Sequence, residues 1–440
     1  MSRDMSPSKA PPLRVAIAGL GVVGSEVARQ LTHRAGDLKA PAPRGFDIVA
    51  VSARNRDTDR GFDMDGIAWH DNAAELATRD DVDIIVEMIG GHDGVALALV
   101  ETALSRGIHV VTANKALLAH HGTALARLAE DSGAALLFEA AIAGGIPAVK
   151  ALREGLAGNR FSRVSGILNG TCNYILTRME RTGEAFGDVL ADAQALGYAE
   201  AEPSLDVDGI DAAHKLTLLA AIAFGQTPDF GRVAISGIRD VSSVDFDYAA
   251  QLGFRIKLVG VAEPGRMPCM QTCLLPVSTQ LAKVDGVLNA VAYDGDPVGS
   301  TVLTGPGAGA GPTSSAVLSD LIDIANNRVT PTFGRPLDQL ADGSKVENGG
   351  GPDTPYYVRL MVLDRPGVLA DITSILQTHG ISVESLLQQG RAPEDVVALV
   401  MTTHEVAGEK LATALAEIEG LACVQAAPVS MPVLNGDLEG

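Results

Sequence analysis

Aromatic side chains are scarce in this 440-residue chain, at 4% with a single tryptophan, and so are cysteines, of which there are four. Cys172, Cys269, Cys273 and Cys423 form no C-x-x-C pair and stand near no histidines at zinc-ligand spacing, which argues against a disulfide framework or a structural zinc. A reducing cytoplasm fits that pattern best. Positive charge is also short. Against 54 acids there are 34 lysines and arginines, and the net charge of -20 argues against nucleic acid or an anionic membrane as partner. No run approaches the roughly 18 uncharged apolar residues that a membrane span needs. The opening MSRDMSPSKAPP lacks the apolar core of a signal peptide, and residues 1–12 read as a disordered tail.

Glycine is abundant, at 48 residues in a chain that is 46% hydrophobic, which suits an α/β architecture with many tight turns and two to four domains. Residues 13–18, LRVAIA, read as a buried strand, followed by Gly19-Leu20-Gly21-Val22-Val23-Gly24 and a helix-spaced SEVARQL. Strand, glycine turn and helix together let the backbone approach a pyrophosphate, with the helix N-terminus supplying free N–H groups. A merely structural turn is the alternative. The next strand, 46–53, ends on no carboxylate but on Arg54, with Arg56 and Arg60 behind it, which favours the 2′-phosphate of NADP; Asp57 and Asp59 leave NAD possible. A third strand, 83–89, ends in Gly90-Gly91. A fourth ends at Thr112, which puts Asn114 and Lys115 at the carboxyl edge of a parallel sheet, as cofactor and substrate neighbours or as simple solvated groups. A helix is expected around 123–132.

The densest cluster of ionisable groups is 197–215, GYAEAEPSLDVDGIDAAHK, directly before the apolar run LTLLAAIAF. That run predicts a mostly buried helix from about residue 210 whose first turn carries Asp211 and Lys215 on one face. A lysine held beside a carboxylate at the mouth of a buried helix can move protons; an acidic loop capping a helix would carry the same charges. Upstream, a strand AALLFEA is expected to carry Glu139 into a glycine-rich turn, so its carboxylate and the carbonyls of Ile142, Gly144 and Ile146 could converge on a hard monovalent cation, or Glu139 could cap the turn. Cys172, in the capped helix of NGTCNYILTRM, has no histidine beside it in sequence and reads as a buried small residue. Residues 235–293 predict an open mixed sheet. The glycines of 305–311, Gly307 and Gly309 among them, lead into a helix expected to return to the nucleotide domain, with the loop either over the cofactor or a plain connector. Residues 341–354, ADGSKVENGGGPDT, form a linker. Beyond it the order β-α-β-β-α-β predicts a ferredoxin-like module.

From residue 13 to about 336 the chain resembles homoserine dehydrogenases, and 355–432 resembles an appended ACT domain. The resemblance rests on Gly197-Tyr198 followed by Asp206, Gly209, Asp211 and Lys215, on NGTCNYIL from Asn169, on TANKALL from Thr112 and on GPGAGAGPTSSAV from Gly305. Glu202-Pro203 stands where the family usually has Asp-Pro. The resemblance implies a Rossmann-type NAD(P)-binding domain over 13–137 completed by 310–340, an α+β catalytic and dimerisation domain over 138–309, and an ACT regulatory domain over 355–440. It implies interconversion of L-homoserine and L-aspartate 4-semialdehyde in threonine, methionine and isoleucine biosynthesis, with Lys215 as acid/base beside Asp211 and Lys115. Gly197, Glu200, Asp206 and Asp211 become the substrate contacts, and sodium the cation at Glu139. ACT domains generally bind amino acids at the loop here carrying Asp364 and Gly367, with threonine the expected effector, in an assembly that is at least a dimer. Two other classes stay open: an aspartate-semialdehyde dehydrogenase, which would need a cysteine nucleophile, and a non-enzymatic amino-acid sensor.

Overall fold

The computed structural model describes residues 10–345, 353–388 and 395–434. Most of the expected tail, the linker stretch 346–352 and the C-terminal 435–440 lie outside them.

Three sheets organise the described residues. Strands β1 (Leu13–Ala18), β2 (Phe46–Ser52), β3 (Ala68–His70), β4 (Ile84–Glu87), β5 (His109–Thr112) and β6 (Leu136–Leu137) form a parallel sheet in the order β3-β2-β1-β4-β5-β6. The order reverses between β1 and β4, and an open sheet of this kind has its ligand crevice at the carboxyl ends of the strands on either side of such a reversal. Helix Ala310–Ala325 does return here, packing Val317, Leu321 and Ile324 into the same apolar cluster as Val15, Ile17 and Val27.

The second sheet takes β7 (Arg160–Ile167), β8 (Ala234–Ile235), β9 (Phe254–Ala262), β10 (Cys269–Pro276), β11 (Leu288–Asp296) and β12 (Gly299–Pro306) in the order β12-β11-β7-β9-β10-β8. It is mixed, as expected: neighbours are antiparallel except the short β8–β10 pair. Helix Ile210–Phe224 is buried along almost its whole length between this sheet and helix Lys115–Ser132, as a helix apolar on every face must be.

The third sheet, β13 (Tyr356–Leu363), β14 (Val383–Gln388), β15 (Val396–Thr403) and β16 (Val429–Pro432), has the order β14-β15-β13-β16, with helices Val368–Thr378 and Gly408–Glu419 on one face. It is joined to the second sheet. Leu434 N–H donates to the Leu274 carbonyl at 3.0 Å, and Val433 bridges Leu274 in β10. Tyr357 Oη and Arg359 Nε of β13 both donate to Asp245 Oδ1, at 2.8 and 2.7 Å, where Asp245 is fully buried.

Three local expectations shift. The helix expected around 123–132 begins at Lys115, because the Asn114 side chain accepts the Leu117 N–H and caps it. The strand read at AALLFEA shrinks to Leu136–Leu137, since Glu139 already opens a 3₁₀ turn. Residues 341–345 are packed, with Gly343 N–H bonded to Thr227 Oγ1 at 3.0 Å. Among the described residues no helix is long and apolar enough to cross a membrane.

Candidate active site

The crevice at the strand reversal is built for close backbone approach. A Cβ on Gly24 would lie 1.9 Å from the Gly19 carbonyl oxygen, so no other residue fits there. Gly21 heads helix Val22–His33 without any side-chain cap, which leaves its first N–H groups to a ligand. Glu87 ends β4 fully buried, its carboxylate accepting from Ile89 N, Gly90 N and the Thr112 hydroxyl at 2.7, 3.1 and 2.6 Å. Asn114 donates to the Gly91 carbonyl at 2.6 Å, fixing the loop opposite. Arg54 is exposed two residues beyond β2. Arg60 lies over Trp69, 5.4 Å from the ring centroid, and reaches the Leu20 carbonyl in the glycine turn at 3.4 Å.

The charged segment folds toward this crevice. Asp211 lies in the first turn of helix Ile210–Phe224 and Lys215 one turn further along the same face, with Lys215 Nζ 2.7 Å from Asp211 Oδ2 and 2.8 Å from the Leu168 carbonyl. Lys115, at the first turn of its own helix in the nucleotide half, brings its Nζ to 3.0 Å from Asp211 Oδ1. One carboxylate therefore joins two lysines from two helices. Burial would raise the Asp211 pKa, but Lys215 and then Lys115 overcome it and hold the group well below the usual carboxylate range. Lys115 is raised in turn, chiefly by Asp211.

Asp206 is tied to the same group through Asn169, whose amide nitrogen lies 2.7 Å from Asp206 Oδ1 and 2.9 Å from Asp211 Oδ2. Burial raises the Asp206 pKa. Gly197 and Glu200 are exposed on the rim, where the Glu200 charge still reaches Lys115. Cys172 is fully buried with its thiol donating to the Asp206 carbonyl at 3.1 Å, and burial pushes its pKa well above the ordinary value, so it is no thiolate nucleophile.

Glu139 is buried, and its two oxygens accept the N–H groups of Val149 and Lys150 at 3.0 and 2.8 Å, which is the capping role weighed against the cation. The two roles are compatible, because each carboxylate oxygen keeps a further lone pair. Burial first, then Asp320, raises its pKa to about 7. Gly144 sits at φ +54, where an added Cβ would be 2.5 Å from the Gly307 carbonyl oxygen, so the turn after Glu139 touches the loop of Gly307 and Gly309. In the third sheet's module, Gly367 heads helix Val368–Thr378 and Asp364 N–H donates to Asp395 at 2.9 Å.

Several participants escaped the sequence reading. Asn169 was visible as a helix cap but not as a bridge. Lys150, bonded to Ser319 at 2.6 Å and paired with Asp323, ties the Glu139 segment to helix Ala310–Ala325. His92 and His120 stack with centroids 4.4 Å apart, and His120 meets His214 edge-on at 5.5 Å, beside Phe230. Burial, then His120, lowers the His214 pKa to about 4, so the His214 ring is neutral packing against His120 and Phe230. Among the described residues no group of three His, Cys, Asp or Glu could hold a metal ion.

A dinucleotide crevice with a lysine–aspartate–lysine cluster set at its edge defines a nicotinamide-dependent oxidoreductase. The homoserine dehydrogenase family model matches residues 147–322, the model for the NAD-binding domain of homoserine dehydrogenase matches 19–139, and that for the ACT domain matches 356–423. The chain belongs to the homoserine dehydrogenase family. It is 42% identical over 421 residues to the homoserine dehydrogenase of Pseudomonas aeruginosa, covering 93% of this chain and 96% of that one. It is 40% identical over 428 residues to that of Neisseria gonorrhoeae, covering 96% and 98%. A crystal structure of a homoserine dehydrogenase from Thiobacillus denitrificans superposes with a TM-score of 0.88 at 40% identity, covering 97% of this chain and 99% of that one. A hyperthermophilic archaeal homoserine dehydrogenase in complex with NADPH has a TM-score of 0.63 at 25% identity, covering 73% and 99%.

Proposed function

We propose that the Lys115–Asp211–Lys215 cluster interconverts L-homoserine and L-aspartate 4-semialdehyde, with Lys215 as the acid/base. The observation that carries this is Asp211 gripping two lysines at 2.7 and 3.0 Å where the two halves meet. A bound nicotinamide would accept hydride from the hydroxymethyl carbon, or return it. Lys215 takes the hydroxyl proton in the oxidative direction and gives it back to the aldehyde oxygen in reduction. Lys115 neighbours substrate and cofactor, and Asp206, Asp211 and Glu200, with the backbone at Gly197, receive the substrate ammonium. Spectrophotometric consumption of NADPH on addition of aspartate semialdehyde tests the assignment; no turnover overturns it.

NADP is the cofactor in this reading, with the first helical N–H groups and the glycines at 19, 21 and 24 at the pyrophosphate and Arg54 at the 2′-phosphate. Gly307 and Gly309 would lie over the nicotinamide end. The archaeal relative in complex with NADPH supports the choice. Sodium would bind Glu139 with the carbonyls of Ile142, Gly144 and Ile146, offsetting a buried carboxylate whose bonds here come from the backbone N–H groups of Val149 and Lys150. One kinetic series checks both. Arg54→Ala is expected to lower the NADP-to-NAD efficiency ratio by about tenfold or more, the worth of a lost charge-assisted contact. Wild-type rates should fall when sodium is replaced by choline, and in Glu139→Gln that dependence should vanish. An unchanged ratio removes Arg54 from the selection, and sodium-independent wild-type rates remove the ion.

The ACT module, in the same proposal, binds threonine at the loop of Asp364 and Gly367, where the N–H groups opening helix Val368–Thr378 suit an α-carboxylate. Threonine is expected to inhibit the full-length enzyme, and Asp364→Ala to raise the half-inhibiting concentration at least about fivefold, the low end of usual coupling. Absence of inhibition would leave the module a purely associative role. Sedimentation with and without threonine checks the expected dimer or tetramer.

A further inference from the structure

Two carboxylates of the cluster share one neutral donor. Asp206 and Asp211 repel each other, and in such a pair the proton affinity of one member is driven up. The residue between them is Asn169. Its amide nitrogen has two hydrogens, and each goes to a different carboxylate: Asp206 Oδ1 at 2.7 Å and Asp211 Oδ2 at 2.9 Å. Its carbonyl oxygen accepts the Cys172 N–H at 2.8 Å, which caps helix Gly170–Thr182. The amide has one sensible orientation, since the reverse would set its oxygen against both carboxylates. The preceding residue completes the arrangement, because the Leu168 carbonyl accepts from Lys215 Nζ at 2.8 Å. Residues 168 and 169 therefore hold the amine and its carboxylate partner from one rigid point, the end of β7, and Asn169 is itself 4% exposed.

We infer that Asn169 is a positioning residue for the reaction: by bridging Asp206 and Asp211 it fixes the spacing of the two carboxylates that receive an ammonium group, while leaving Asp211 aimed at Lys215. This rests on the proposed role of that cluster. Asp206 faces Asp211, Lys215 and Lys115, and among these the Asn169 hydrogen bond is the largest influence favouring its ionised form, set against burial. Removing the amide raises the pH at which Asp206 ionises.

The chemistry separates this role from helix capping. Serine caps a helix about as well as asparagine but cannot reach two carboxylates. In the full-length enzyme, Asn169→Ser is expected to keep the helix cap and NADP affinity and to stay folded at assay temperature, with a thermal midpoint lowered only by the two lost hydrogen bonds. Its kcat/KM for homoserine should fall by about 10²-fold, as for a small misplacement of reacting groups, with the acidic limb of the pH profile moved to higher pH. Asn169→Asp also keeps a capping oxygen but adds a third carboxylate; it should be worse than Ser at neutral pH and recover in part on acidification, as the new carboxyl protonates and becomes a donor. A serine variant with wild-type kcat/KM and pH profile, or with losses that simply track its thermal midpoint, overturns the inference. Lys215→Ala is run beside it: if that variant is inactive while Asn169→Ser is unaffected, this inference alone fails, whereas an active Lys215→Ala removes the site assignment beneath it.

Discussion

Lys215→Ala is expected to lower kcat for homoserine oxidation by about 10²- to 10⁴-fold, the usual worth of a positioned acid/base, with NADP affinity unchanged. The two effects separate because Lys215 bonds to Asp211 and the Leu168 carbonyl, whereas the dinucleotide crevice is lined by the glycine turn, the β4 end and Asn114. Lys115 cannot take over, since it approaches Asp211 from the other side, through Oδ1. Lys215→Arg sharpens the experiment. It restores a positive charge beside Asp211, but a guanidinium does not release a proton in a protein, so it should stay slow. Single-turnover rates with either variant report this, and a wild-type kcat in Lys215→Ala would remove Lys215 from the chemistry.

The second large effect is on stability and lies far from that chemistry. Asp245→Ala is expected to destabilise the protein by about 3 to 5 kcal/mol, the cost of leaving a buried charge without its partner. Asp245 has no exposed surface and Arg359 is 8% exposed, so the guanidinium would be stranded with the Asp240 carbonyl as its remaining acceptor at 3.2 Å. The Tyr357 hydroxyl would lose its acceptor too, and helix Ser243–Gln251 its capping box. Exchanging all three members for apolar residues of similar size should recover most of the loss. The urea midpoint of the full-length chain measures both; an unchanged midpoint for Asp245→Ala would show that the cluster contributes nothing.

What could be read from sequence tracks how far apart the interacting residues are along the chain. The glycine turn after β1 and the Asp211–Lys215 pair, four residues apart on one helix, depend on local geometry, and both stand where the sequence put them. His120, His121 and Gly122 interrupt the apolar pattern of helix Lys115–Ser132, and its periodicity is clear only beyond them; His120 packs on His214, a contact local periodicity cannot show. Asn169 reaches carboxylates 37 and 42 positions away, and Arg359 reaches one 114 away. Nothing near those residues marks them as partners, since asparagine before a helix and arginine in a strand each have a sufficient local reason to be there. Lys115 and Asp211 were joined through family resemblance, which carries long-range pairing that composition does not.

The join between β10 and the residues after β16 also bears on how the chain is made. β8 covers β10 only at Cys269 and Met270, and the edge further along is met at Leu274 by Val433 and Leu434, almost the last described residues. During synthesis at about 5 to 20 residues per second, the ribosome completes β10 on the order of ten seconds before the segment that closes its edge exists. For that interval the nascent catalytic sheet presents an open strand and an unpaired face at Asp245, the kind of edge that recruits other chains. A chain stopped near residue 340 would keep that edge open permanently, so loss of solubility or activity on truncation would report an unfinished sheet rather than a missing regulator.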